Sequence, residues 1–167
     1  MTAVEEYLQM RGVEFEVIPH ERTLSTVEEA RALGVAVDEA LKTLVMDTST
    51  GHVLVVIPGS RRVDLHKVRD ALGDHHARLA SEAELGADFV GYELGAMPPL
   101  GSLVGARTFV DPEVLTHETV VFAAGSQTRS LKARTADLFR DEQITVAPVA
   151  SHPEEETAPD PLVDRFT

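Results

Sequence analysis

Two β-rich runs, Leu41–Asp47 and His52–Ile57, flank Thr48-Ser49-Thr50-Gly51, and this hairpin constrains the fold more than any other feature of the chain. Both runs are dominated by Val, Leu and Ile, with short polar residues and a glycine between them, the pattern of two strands joined by a tight connection. Pro58-Gly59 closes the second run. A lone hairpin is marginal in water, so further strands must join it. Val13–Ile18 alternates apolar residues with Glu14 and Glu16, which predicts a strand with one wet face ended by Pro19. Arg107–Val110, Thr119–Ala124, Arg129–Lys132 and Ile144–Ala147 supply more candidates. Strands outnumber long helices and do not alternate with them. An α+β domain is predicted, with a mixed, largely antiparallel sheet and helices packed outside it.

The helices announce themselves by caps. Thr2 with Glu5 predicts a first helix over about Ala3–Arg11, followed by Gly12. Thr26 with Glu29 predicts a second, stopped by Gly34. Asp64 opens a third, with Leu65, Val68 and Leu72 on one face and Gly73 at its end. Ser81 with Glu84 starts a short turn of helix, and Thr135 caps a last one reaching about Arg140. Gly91–Gly105, rich in Gly and Pro, is expected to be irregular.

Composition narrows the function. The chain has 167 residues, enough for one domain with its own core. Aromatics make up 5% and Trp is absent, so the core must be aliphatic. There is no cysteine, which excludes disulfides, thiolate metal sites and Cys nucleophiles. The acidic start MTAVEEYLQM lacks signal-peptide character, and apolar runs such as Val53–Pro58 are too short to span a bilayer. A cytoplasmic protein without membrane contact is expected. A net charge of −13 disfavours duplex DNA. That charge is concentrated in residues 151–167, where Glu154, Glu155, Glu156, Asp160 and Asp164 accompany Pro153, Pro159 and Pro161. Residues 1–150 are read as the domain and 151–167 as a flexible acidic tail. Base gathers at Arg61, Arg62, His66, Lys67 and Arg69.

Dinucleotide, P-loop, zinc-protease and nucleophile-elbow motifs are all missing. Two segments stand out instead. Lys42 sits inside an apolar run, where a lysine either buries its stem and sends its head to water or holds an anion in a pocket. The loop Gly91-Tyr92-Glu93-Leu94-Gly95-Ala96-Met97-Pro98-Pro99-Leu100-Gly101 is either a stiff connector or a presenter of backbone N–H groups, such as those of Ala96 and Met97, to an oxyanion. His20 reads as a surface or capping histidine, or as one that binds a substrate or shuttles a proton. Gly125 marks a turn or a cavity wall. Ser126 and Ser130 show no base partner at a recognisable spacing.

In order along the chain, these segments match a known pattern. His20 precedes Thr26–Ala30, then come Lys42–Val45, Val56–Gly59, Val63–Leu65, Gly91–Gly101, Phe109–Asp111 and Ala124–Ser126. The sequence resembles the YbaK/ProX-type aminoacyl-tRNA deacylases, relatives of the editing domain inserted in prolyl-tRNA synthetases. The resemblance runs from Val4 to about Val149. It implies a barrel-like sheet flanked by helices and hydrolysis of the ester joining a wrong, small amino acid to the 3′ end of tRNA. No metal or organic cofactor is implied. The family's essential lysine falls on Lys42 and its G-x-x-x-P loop on Gly95–Pro99, giving Lys42, Gly95, Ala96 and Met97 as catalytic candidates. His20, Thr26, Pro98, Pro99, Gly101, Gly125 and Ser126 are candidates for substrate contact, and Arg61, Arg62 and Lys67 for tRNA phosphate. Expected partners are the aminoacyl-tRNA acceptor end and an aminoacyl-tRNA synthetase, with the chain a monomer or weak homodimer. Pro98 replaces a usual small polar residue and Leu100 a frequent aromatic, both expected in the pocket wall. A non-catalytic tRNA- or nucleotide-binding module of the same fold, and a hydrolase of another small acyl ester, are the alternative readings.

Overall fold

The structure is a computed structural model that describes residues 1–151. The acidic tail expected from residue 151 therefore lies, but for Ser151, outside the described residues.

Helix α1 covers Ala3–Met10 and is capped by Thr2, whose side chain accepts from the Glu5 N–H. Strand β1 is Phe15–Pro19, and α2 is Thr26–Leu33. The cap of α2 is Ser25, not Thr26 as the sequence suggested: the Ser25 side chain accepts from the Glu28 N–H, while buried Thr26 is already in the helix. Gly34, at φ 69°, ends it as expected. The hairpin forms over β2, Leu41–Thr48, and β3, Gly51–Pro58. Asp64 caps α3, Leu65–Leu72, and Ser81 with Glu84 closes a full capping box on α4, Glu82–Asp88.

Between α3 and α4 runs a two-residue strand, β4, Arg78–Leu79, too short to leave a pattern in the sequence. The Gly/Pro stretch is not wholly irregular, because Gly101–Val104 forms one turn of helix, α5. Strands β5, Arg107–Val110, β6, Thr119–Ser126, and β7, Arg129–Arg134, follow. Helix α6, Thr135–Phe139, starts without a side-chain cap; Thr135 is buried and its hydroxyl has no partner. Strand β8, Ile144–Val146, completes the set.

The strands make two sheets. One has the order β1-β7-β6, all antiparallel. The other has the order β4-β2-β3-β5-β8; its first three strands are antiparallel, while β3, β5 and β8 run parallel. The sheets touch at a parallel bridge between Ala40 and Val121. They do not close, so the expected barrel-like sheet is corrected to two open sheets, and the α+β class stands.

Side chains alternate across each strand, so the register sorts the core. Leu41 and Val56, which face the small sheet, join Val4, Leu8, Phe122, Leu131 and Leu138 in the largest cluster. The opposite face of β2 and β3 places Leu44, Met46, Val55 and Ile57 against Val68 of α3 and Val149. A third cluster, Val45 and Leu54 with Ala80 and Phe89, lies under α4.

Candidate functional site

The loop between α4 and α5 is held by backbone pairing. Gly125 occupies an irregularity in β6, where the register with β7 slips between Ala123 and Ser126. At φ 85° it takes a conformation open to glycine. There its N–H donates to the Ala96 carbonyl at 2.9 Å, and its own carbonyl accepts from the Glu93 N–H at 2.8 Å. The Glu93 carboxylate accepts from Arg22 Nη1 at 2.8 Å and from the Gln127 N–H at 3.0 Å, and Gln127 Nε2 donates to the Leu94 carbonyl at 2.8 Å. The Arg22 guanidinium, followed by that N–H, holds the Glu93 carboxyl below its ordinary range.

This pinned loop walls a cavity of about 260 Å³ between itself, β2 and α4. Val45, Leu85, Phe89, Tyr92 and Met97 make it apolar, and Thr43 lies on its floor. The Thr43 hydroxyl is buried and has no hydrogen-bond partner among the described residues. Gly95, exposed and at φ 76°, stands at the rim. Among the described residues the N–H groups of Gly95 and Met97 carry no partner. That of Ala96 is already donated to the Glu93 carbonyl at 3.0 Å, which corrects its expected role as an oxyanion donor.

The other sequence candidates scatter around this centre. Lys42 precedes Thr43 and shares the opposite face of β2 with Leu44 and Met46. It is 7% exposed, and its Nζ donates to the Arg61 carbonyl at 2.9 Å. It does not line the cavity, so the catalytic candidates Lys42 and Gly95–Met97 do not share a pocket wall. Pro98, Pro99 and Leu100 are buried beneath the loop, and neither Pro98 nor Leu100 reaches the cavity wall; Leu100 belongs to the core between the sheets.

Gly101 is a packing position, because a Cβ there would lie 2.0 Å from Thr108 Oγ1 and 2.3 Å from the Ala106 carbonyl oxygen. Thr26 likewise fills the space beside Gly59. Ser126 Oγ accepts from the Thr128 N–H at 3.1 Å and shares a hydrogen with the Thr128 hydroxyl at 3.0 Å. Arg61 Nη1 donates to the Ser151 carbonyl and Nη2 to Glu113, Lys67 Nζ donates to the Ala150 carbonyl, and the Arg62 carbonyl accepts from the Ser151 N–H. These basic residues thus hold the end of the described chain.

His20 also misses the cavity. Its Nε2 lies 2.8 Å from Ser130 Oγ, which in turn bonds Glu29. Ser130 therefore has the histidine and acid that the sequence spacing hid. It is fully buried, however, so it is no nucleophile for a large substrate. Sequence reasoning also missed Thr43, Phe89 and Tyr92. The alternation of β2 points Thr43 away from Lys42, and only the docking of α4 brings the aromatics across from it. Among the described residues no group of three or more His, Asp or Glu could hold a metal ion, and no helix is long and apolar enough to cross a membrane.

The domain thus consists of two open sheets with a small apolar cavity under a backbone-pinned Gly/Pro loop. The chain belongs to the aminoacyl-tRNA editing domain family, whose model matches residues 20–140. It is 28% identical over 138 residues to the multifunctional Ser/Thr-tRNA deacylase ProXp-y of Escherichia coli K12, covering 80% of this chain and 82% of that one. It is 30% identical over 115 residues to EbsC of Enterococcus faecalis, named for Cys-tRNA(Pro)/Cys-tRNA(Cys) deacylation, covering 68% and 70%. A proline–tRNA ligase of Thermosipho melanesiensis matches 75% of this chain at 28% identity, over only 22% of its own length. A crystal structure described as a trans-editing enzyme for prolyl-tRNA synthetase superposes with a TM-score of 0.79 at 26% identity, covering 89% of this chain and 95% of that one.

Proposed function

We propose that this chain is a trans-editing hydrolase that removes a wrongly attached small amino acid from the 3′ end of tRNA. The observation that carries the reading is the cavity walled by the Gly95–Met97 backbone. Water attacking the aminoacyl ester puts negative charge on the carbonyl oxygen. In this reading the unpartnered N–H groups of Gly95 and Met97 receive it, and one such donor is worth about 3 kcal/mol in other enzymes. The amino acid side chain enters the cavity, with the Thr43 hydroxyl as its polar contact. At about 260 Å³ the cavity is below the roughly 300 Å³ at which drug-sized sites begin, and it has room for a single amino acid side chain.

Lys42, Arg61, Arg62 and Lys67 are assigned in this reading to the phosphates of the acceptor end. Lys42 and Arg61 are joined by a hydrogen bond on the α3 side of β2. A prolyl-tRNA synthetase is the natural source of the mischarged tRNA.

A panel of mischarged tRNAs tests the reading. Release of a small amino acid, lost in Lys42→Ala, supports it. Failure to clear any of the panel at micromolar protein defeats it, and tRNA binding without turnover identifies a binding module instead.

A further inference from the structure

Between α2 and the three-stranded sheet lies a buried acid that the deacylase reading leaves unused. Glu29 is 4% exposed, and the one hydrogen-bond partner of its carboxyl group among the described residues is the fully buried Ser130 hydroxyl. The same hydroxyl meets His20 Nε2 at 2.8 Å, while Nδ1 of that ring lies 2.7 Å from the Glu21 carbonyl oxygen.

Hydrogen-bond valence restricts where the protons can be. A carbonyl oxygen only accepts, so Nδ1 carries a hydrogen. Ser130 has one hydrogen to give. If Glu29 receives it, Nε2 must also carry one, and the ring is an imidazolium facing a carboxylate. If His20 receives it, Glu29 must be protonated and donate to Ser130. In both arrangements the three side chains hold one proton beyond a bare carboxylate and a neutral ring, and Ser130 lets it pass between the ends. Without that proton, one of the two contacts sets lone pair against lone pair.

Among the described residues no other neighbour replaces it. On α2, Glu28 bonds the Leu24 N–H and Arg31 is exposed. On β7, Lys132 stands opposite Glu16 of β1, and Arg129 is bound to Glu5 of α1. The turn Val37–Glu39 adds only the acids Asp38 and Glu39, β6 faces this layer with Val121 and Ala123, and the Lys42 head is at Arg61.

The relay is tied to the site. The His20 N–H donates to the Thr128 carbonyl and the Thr23 N–H to that of Gln127, each at 2.9 Å. Arg22, between them, bonds both Gln127 and Glu93. Glu93 is the residue that pairs with Gly125. We propose that Glu29, Ser130 and His20 form a proton relay whose single shared proton latches residues 20–23 onto the β6–β7 turn and so positions the Gly95–Met97 loop. Burial, opposed by the Ser130 hydrogen bond, pushes the Glu29 carboxyl up to about 7, which places loss of the proton in the neutral range. Glu29 and Ser130 are positioning residues here. The latch is independent of the deacylase reading, and only its effect on turnover rests on it.

The test is nitrogen-15 NMR of the full chain from pH 6 to 9, alongside deacylation of a mischarged tRNA. In the wild type, one step changes the His20 ring signals, and the Glu93 and Gln127 amides and the deacylation rate change with it. Glu29→Gln keeps a donor toward Ser130 but cannot titrate, so it abolishes the step in all three readouts and retains activity on the alkaline side. Ser130→Ala breaks the relay, so the Glu93 amide no longer moves with pH. A step that persists in Glu29→Gln, or a Glu93 amide indifferent to pH in the wild type, overturns the latch. An amide step with a flat rate profile overturns its link to catalysis. Absence of any deacylation with the NMR step intact defeats the deacylase reading and supports the latch.

Discussion

Gly125 donates its N–H to the carbonyl oxygen of Ala96 at 2.9 Å, and that bond fixes the loop on which the candidate chemistry depends. It forms because β6 carries an irregularity at a residue that can hold φ 85°. It is also why a ring fits there, since a Cβ on Gly125 would meet Tyr92 Cδ1 at 3.1 Å.

Gly125→Val is therefore expected to destabilise the protein by about 1–3 kcal/mol, combining a left-handed backbone with crowding of Tyr92. Thermal unfolding measures the loss. Deacylation should fall by more than the unfolded fraction explains, because the loop loses its anchor.

Gly101→Ala separates a packing glycine from a substrate-binding one. With Thr108 Oγ1 and the Ala106 carbonyl inside contact distance, the variant should lose several kcal/mol of stability (about 2–4). A normally stable variant with a raised KM would show instead that Gly101 faces substrate.

Arg22→Ala removes an exposed ion pair to Glu93. Exposed pairs contribute about 0.2–1 kcal/mol, so its melting temperature should barely move. Its kcat is expected to fall, because the loop then keeps only its backbone bonds to Gly125 and its bonds to Gln127. An unchanged kcat would show that Arg22 has no part in placing the loop.

Thr43→Val keeps the shape of the cavity floor and removes a hydroxyl that has no partner in the protein. Stability should hold or rise by up to about 1 kcal/mol. Hydrolysis of a seryl or threonyl ester should weaken more than that of an alanyl ester, which a competition assay between the tRNAs would read.

Glu29 gives a pH signature of stability. Its carboxyl protonates at about 7 in the folded chain against an ordinary 4.5, so the folded state binds more protons between these values. Stability is fully present below about 4.5 and declines as pH rises through 7, by about 3 kcal/mol in all. Chemical denaturation at pH 5 and pH 8 should show the decline in the wild type and its absence in Glu29→Gln. Equal curves for the two proteins would refute it.

Much of this architecture could be read from local chemistry. The caps at Thr2, Asp64 and Ser81 and the stops at Gly34 and Gly73 act within one turn, so the sequence displays them directly. The hairpin was equally plain. Sheet closure was not, because it depends on how β1 and β6 place themselves; among the described residues the Ala40–Val121 bridge is what pairs the sheets. The Lys42 segment was legible as a strand, yet its face was not: one residue of register sends Lys42 toward α3 and Thr43 into the cavity. Ser130 shows the same limit. Its partners lie 101 and 110 positions away, where no spacing rule operates.

The bond between Gly125 and Ala96 has a further consequence. Because the bond runs between main-chain atoms, the side chains of Leu94 and Met97 take no part in the hydrogen bonds that anchor the loop. Each can be exchanged singly, reshaping the mouth of the cavity while the peptide groups at its rim stay where they are. Selectivity in this protein is thereby separable from its frame, and a drift in diet from one amino acid to another needs no rebuilding of the scaffold.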